Sequence, residues 1–355
     1  MNSQFSQIKN FAPQKYSKEE QNKIFDYFEE LKADYIRSFL ASKGLRKSGA
    51  KNDLIVNITE YVEKGQIAYT DLVNFLDEVT PYGKQHVFLY SGSDREVSNW
   101  KKEHYCIKIL EENKKIQFLN KKLHLILPEN LSLSSIEYDP GKELKILAVQ
   151  RRDYIDRCAE FDTPVDKNGI ELHAYKHQVI RGLIIFQWNL LTNLARLQIT
   201  QLPSRGSYED AEKNFIELTQ PWLPYNTFNK MDIRPSITRL RGMEVPEGTP
   251  EARSSDFSLD TVEGRRLSLK SPSNQDSTAG EEILDEIIQQ AGSIGVAHLG
   301  NFYWLPKESN PIPGNILENE VHTIIVGNKS RINFTKPNRK EDFEYVLSRV
   351  RALCD

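Results

Sequence analysis

The most constraining feature of this sequence lies between Ala33 and Val62, where apolar residues recur at helical spacing on both sides of a short turn containing two glycines. Tyr35, Ile36, Phe39 and Leu40 fall on one face of a helix that Gly44 ends, as a left-handed C-terminal cap requires. Leu54, Ile55, Ile58, Tyr61 and Val62 line a second helix that stops at Gly65. Upstream, SKEEQNKIFDYFEELK predicts a further helix. Ser17 is its cap, Glu19 and Glu20 sit at the positive end of its dipole, and Ile24, Phe25, Phe28 and Leu31 form its apolar stripe. Residues 67–79 add a helix with Leu72, Val73, Phe75 and Leu76, ended before Pro81. Residues 1–82 therefore read as a helical module.

The spacing within this module resembles the SAP motif, a short helix-turn-helix DNA-binding module, over residues 31–65. That pattern asks for apolar positions in the first helix, a leucine, a glycine, an apolar residue, a second glycine, a lysine two residues on, and then a leucine and further apolar positions. Tyr35, Ile36, Leu40, Gly44, Leu45, Gly49, Lys51, Leu54, Ile55 and Ile58 occupy those places. Asn57 departs from it, standing where the family usually has arginine before the last apolar position. The resemblance implies a contact with the phosphate backbone of double-stranded DNA.

Charge distribution agrees with that expectation. The 355-residue chain has a net charge of −3, which excludes a uniformly cationic nucleic-acid binder and makes any such contact local. From Leu31 to Ile58 there are Lys32, Arg37, Lys43, Arg46, Lys47 and Lys51 against Asp34 and Asp53, so this segment is +4 and the remainder is −7. Within it, Lys43, Arg46, Lys47, Ser48, the Gly49 backbone and Lys51 are the candidate nucleic-acid-binding residues. A glycine turn leading into a helix N-terminus presents N–H groups to anions, and such contacts position a protein without reading much sequence.

Residues 83–355 read as a larger mixed α+β domain with mostly antiparallel strands, so the fold class expected for the whole is α+β. HVFLY at 86–90, KIQFLNKKLHLILP, KELKILAVQRR and RRLSLK predict strands, and VHTIIVGNKSRINFTKP predicts two strands around a Gly-Asn turn. Segment 170–200 fits either a hairpin or a strand running into a helix at Trp188. Helices are expected over 94–113, 207–222 and 281–290, the last introduced by Thr278, and over RKEDFEYVLSRVRAL near the C-terminus. The Pro-, Gly- and Ser-rich flanks within 244–280 read as mobile loops.

Other chemistry is weakly represented. GSIGVAHLGN makes neither a P-loop nor a dinucleotide fingerprint. His173 and His177 lie in an extended segment without the glutamate of an HExxH site, and no metal or cofactor is expected. Glu143 and Lys145 form a Glu-x-Lys triplet preceded by Asp139, the residue types of a metal-dependent nuclease, but Asp139 stands too close across a Pro-Gly turn and solvent-facing alternation on a strand is the favoured reading. Asp153, Asp156, Glu160, Asp162 and Asp166 lie beside Arg151, Arg152 and Arg157 and read as an ion-paired surface. Cys158 has no identifiable histidine partner for nucleophilic work. Lys329, Arg331, Lys336, Arg339 and Lys340 form a second basic patch; Lys329 and Arg331 lie at the hairpin turn, and Arg234, Arg239 and Arg241 extend the cationic surface.

Cys106, Cys158 and Cys354 are odd in number and widely spaced. They suit neither a disulfide framework nor a four-cysteine zinc site, and point to a reducing intracellular compartment; the SAP resemblance implies the cytoplasm in a prokaryote or the nucleus in a eukaryote. No export signal or membrane span is expected. The expected function is DNA binding through the SAP-like turn, with residues 83–355 binding a protein partner or further DNA. The alternatives are a metal-dependent nuclease to which the turn delivers substrate, and an interaction subunit of a larger assembly.

Overall fold

The computed structural model describes residues 16–120, 128–163, 169, 171–203, 206–244 and 250–354. The chain divides into two compact units, the first ending at Thr80 and the second beginning at Pro81. The architecture is α+β, with helices preceding a large, mostly antiparallel sheet.

The first unit comprises α1 (Lys18–Glu30), α2 (Ala33–Ser42), α3 (Lys51–Glu63) and α4 (Tyr69–Val79). Ser17 begins α1 through a reciprocal cap: its Oγ accepts from Glu20 N at 3.3 Å, and its own N–H donates to Glu20 Oε2 at 2.7 Å. The apolar stripes converge on one core of Ile24, Phe28, Ile36, Phe39, Leu40, Leu54, Ile58, Leu72 and Leu76. Phe28 and Phe75 flank Phe39, with ring centroids 5.5 and 4.9 Å from it.

The second unit runs through β1 (Gln85–Ser91), α5 (Asp94–Trp100), α6 (Glu103–Glu112), β2 (Ser132–Asp139), β3 (Glu143–Arg157), β4 (Tyr175–Asn189), β5 (Leu194–Thr200), α7 (Tyr208–Thr219), the two-residue β6 (Asn229–Lys230) and α8 (Arg234–Gly242). It continues through β7 (Ala252–Thr261), β8 (Arg266–Lys270), α9 (Glu282–Ile294), β9 (Gly295–Trp304), β10 (Val321–Val326), β11 (Arg331–Phe334) and α10 (Lys340–Ala352). The strands form one sheet in the order β2-β3-β4-β5-β1-β11-β10-β9-β7-β8, with β6 paired to the end of β1.

β1 lies at the middle of this order and is buried on both faces, which is why its centre, residues 87–90, is an unbroken apolar run. Phe88 and Tyr90 enter a core shared with Ile146, Phe186, Trp188, Leu197, Trp100 of α5, Leu110 of α6 and Phe215 of α7. Val87 and Leu89 point the other way, into a core with Ile237 of α8, Phe302, Ile325, Ile332, and Phe343 and Val346 of α10. Phe343 stacks on Phe334 at 4.2 Å between centroids and meets Tyr82 edge-on at 5.4 Å.

Several sequence expectations are corrected. Residues 252–261, read as part of a mobile loop, are strand β7, paired with both β8 and β9. Ser254, Ser255 and Ser258 take buried positions there, and a bulge between Ser254 and Asp256 shifts the phase, so the apolar period of a strand is masked. Within KIQFLNKKLHLILP, Ile116–Phe118 form a 3-10 turn, and Leu119 makes a single bridge to Ile136; residues 121–127 lie outside the described residues. The helix expected over 94–113 is broken into α5 and α6. Thr278 does not cap α9, which starts after Glu281; its hydroxyl instead meets Ser254 Oγ at 2.5 Å. At Trp188 the choice resolves to a β4–β5 hairpin.

All four tryptophans, Trp100, Trp188, Trp222 and Trp304, belong to the second unit. Replacing Phe343 with Ala removes the ring that joins α10 to the sheet. The tryptophan-fluorescence unfolding transition is expected to lose about 3–5 kcal/mol, and a loss below about 1 kcal/mol would contradict this packing.

Candidate nucleic-acid interface

The turn between α2 and α3 is built from two different glycine conformations. Gly44 has φ +68° and closes α2 in a Schellman arrangement: its N–H donates to Ala41 O at 3.0 Å and Leu45 N–H to Leu40 O at 2.9 Å. Leu45 folds back onto the apolar core of the first unit. Gly49 has φ +126°, and a Cβ there would lie 2.9 Å from Asp53 Cβ. Asp53 is held in that place because its carboxylate accepts from Ala50 N at 2.8 Å, capping the start of α3. Arg37 pairs with Asp34 at 2.7 Å and donates to Gly49 O at 3.2 Å, fixing the turn against α2.

The candidate cations on this frame are not equivalent. Lys47, Arg46, Ser48 and Gly49 are exposed. Arg46 Nε donates to Ser48 Oγ at 2.9 Å, and Lys47 makes no hydrogen bond or ion pair within the described residues. Lys43 pairs with Asp71 at 2.8 Å, while the Lys51 ammonium donates to the Glu29 carbonyl. The Lys43 hydrogen bond is the main reason the Asp71 carboxyl is held below its usual range; Asp71 also accepts from Ala68 N at 3.0 Å, capping α4. A depressed carboxylate pKa stabilises the fold above the ordinary carboxylate range, and that contribution disappears as pH falls through the depressed value. Both side chains are about a third exposed (33% and 31%), so the pair is worth less than about 1 kcal/mol.

The second basic patch is tied to α7. The Gly-Asn turn is a 3-10 turn, Gly327–Lys329, followed by Ser330 in a left-handed conformation at φ +47°. Lys329 pairs with Glu209 at 2.8 Å. The Arg331 guanidinium lies 4.7 Å from the Tyr208 ring centroid, and His86 packs on the same ring at 3.8 Å. Burial, and then the Arg331 charge, push the His86 pKa down to about 3. Arg339 is held by Asp342 and Glu318 at 2.7 and 2.8 Å. Arg234 pairs with Asp232 at 2.7 Å, Arg239 donates to Leu353 O at 3.0 Å, and Arg241 is buried on Asp285 at 2.5 Å. Each of these three arginines is therefore already engaged by an acceptor of the second unit, Arg234 locally and Arg239 and Arg241 by residues distant in sequence.

The residues of the Glu-x-Lys triplet are also engaged. Lys145 pairs with Glu137 at 3.1 Å, Glu143 accepts from Gln187 Nε2 at 2.5 Å, and Asp139 pairs with Lys142 at 3.2 Å. Among the described residues, the only group that could hold a metal ion is Asp162, Glu171 and His173. Arg157 already occupies it, chelating Asp162 with both guanidinium nitrogens and reaching His173 Nδ1. The Arg157 hydrogen bond is the largest cause of the low Asp162 pKa, followed by the bond from Ala174 N, and burial opposes them. Asp166 and the side chain of Asp156 lie outside the described residues.

Sequence reasoning identified the exposed cations but missed what competes for the others. Asp71 and the Glu29 carbonyl are distant in sequence from Lys43 and Lys51, and only packing of α1 and α4 around the hairpin reveals them. The cap from Asp53 to Ala50 was detectable from its three-residue spacing.

Gly49→Ala is expected to destabilise the first unit by about 1–3 kcal/mol through strain and contact with Asp53. Gly44→Ala meets open space and costs only the left-handed backbone, about 1 kcal/mol. Far-UV ellipticity should register the larger loss for Gly49→Ala with the tryptophan transition unmoved, and the reverse ranking would contradict the geometry.

No protein-family model matches the chain, and no curated protein sequence matches it.

Proposed function

We propose that the chain binds double-stranded DNA through the α2–α3 turn, which grips the phosphate backbone as a SAP-type module does. The observation that carries this reading is an exposed turn, Arg46, Lys47, Ser48 and Gly49, framed by two glycines at positive φ and leading directly into the N-terminus of α3. Exposed cations at a preorganised turn release counterions from a polyanion without first having to order the chain.

The footprint is small. Arg46 and Lys47 are available at once, whereas Lys51 and Lys43 must first leave Glu29 O and Asp71. The logarithm of affinity should therefore fall with the logarithm of salt at a slope of about −2 to −3, far shallower than that of a large repressor. Lys329 and Arg331 contribute only if Glu209 and Tyr208 release them, so they play a secondary part. Binding is expected to be indifferent to base sequence, because every contact named is to the backbone.

A competing carboxylate offers a test in both directions. Lys47→Glu with Lys51→Glu should weaken binding to all duplexes alike, by about fivefold for each phosphate left without its cation at 0.15 M salt. Asp71→Asn keeps an acceptor for Ala68 N but frees Lys43, and should raise affinity by about the same factor and steepen the salt slope by about one unit. Fluorescence anisotropy with two unrelated duplexes measures both; unchanged affinity in the lysine variants at low salt would remove the turn from the interface.

A further inference from the structure

β3 and β4 are each fifteen residues long, but the sheet uses only part of them. β2 pairs with β3 over Glu143–Val149, and β5 pairs with β4 over Ile184–Asn189. Beyond those limits Gln150–Arg157 and Tyr175–Gly182 pair only with each other, forming a two-stranded arm about 25 Å long. Its base is secured by Arg152, whose Nη1 donates to Thr200 O at 2.8 Å, and by Arg151 N–H, which donates to Pro128 O at 2.7 Å. The end of the arm is closed by the Arg157–Asp162–His173 cluster, a bond from Ala174 N to Asp162 Oδ1 at 2.9 Å, and a bridge between Thr163 and Leu172. Among the described residues the end of the arm is thus tied across its two strands.

An isolated two-stranded ribbon is marginal in water and leaves strand edges open. This one also exposes an apolar face. The cross-strand pairs Asp153–Val179, Ile155–His177 and Arg157–Tyr175 place Ile155, Tyr175 and Val179 on one side, and these are 61%, 56% and 43% exposed. Residues 150–182 contain six basic and six acidic residues, so the arm does not attract a polyanion. Its charges are nevertheless polarised. At the base Arg151 is exposed and paired with Asp153 at 2.9 Å, with the buried Arg152 and Arg181 beside it, so the base is net positive; at the tip Glu160, Asp162 and Glu171 outweigh Arg157 among the described residues.

We propose that this arm is a dimerisation element, in which two copies of the chain lay their arms face to face and antiparallel about a two-fold axis. Ile155, Tyr175 and Val179 of each copy meet the same residues of the other. Arg151 at each base, shared with its own Asp153, faces Glu171 at the opposite tip. Antiparallel alignment is the arrangement that brings cationic base to anionic tip twice, whereas parallel alignment sets like charges together. A polar ligand or nucleic acid would leave the apolar centre exposed. The proposal does not depend on the DNA-binding reading.

Sedimentation velocity of the intact chain over a micromolar to hundred-micromolar range tests it. The wild-type chain is expected to reach twice its monomer mass, and Ile155→Asp with Val179→Asp to remain monomeric. Glu171→Arg and Arg151→Glu, each placing like charges at both ends of the paired arms, should weaken self-association about tenfold. Their equimolar mixture should recover it, because both ends then pair opposite signs, an outcome that a folding defect in either variant could not produce. A wild-type monomer throughout the range, a dimer indifferent to the apolar double variant, or a mixture no tighter than its components would each overturn the proposal.

Discussion

The sheet unit depends on β1 being buried on both faces. Because side chains alternate along a strand, Val87 and Leu89 serve one core while Phe88 and Tyr90 serve the other. Neither core could be completed by its helices alone. α5, α6 and α7 cover the β1–β5 half, and α8 and α10 cover the half that includes β7, β9, β10 and β11. A polar residue at any of these four positions would leave an unpaired group in a close-packed interior.

The helical unit solves a different problem, that of holding a short exposed turn still. Its core places α1 and α4 around the α2–α3 hairpin, and each glycine adopts a conformation that a side chain would strain. The turn is consequently a rigid display of backbone and cations. The same packing brings Asp71 to Lys43 and the Glu29 carbonyl to Lys51, so the apparent charge of the segment exceeds what is available to a ligand. Net charge counted along a sequence overstates an electrostatic footprint whenever neighbouring helices supply acceptors.

The large unit shows the same limit. Lys329 and Arg331 form a basic hairpin tip in sequence, yet Glu209 and Tyr208 of α7 meet them. Arg241 reads as a surface cation and is 3% exposed, because α9 brings Asp285 to it. β7 escaped notice because serines occupy buried positions where a strand usually shows Val or Ile, the Ser254 hydroxyl meeting that of Thr278. The β3–β4 arm has ordinary strand sequence throughout, and nothing in it marks where β2 and β5 stop pairing.

What the sequence by itself determined was local: helices at their apolar period, the Ser17 cap, the left-handed closures at Gly44 and Gly65, the buried run of β1, and the hairpin around Gly327. Each follows from backbone sterics or hydrogen bonding among residues a few positions apart. Only the tertiary structure decided which cations are free, which carboxylates neutralise the rest, the order of the strands, and the projection of the arm. Those outcomes rest on contacts between residues far apart in the chain, whose identity becomes effective only when packing has brought them within a few ångströms.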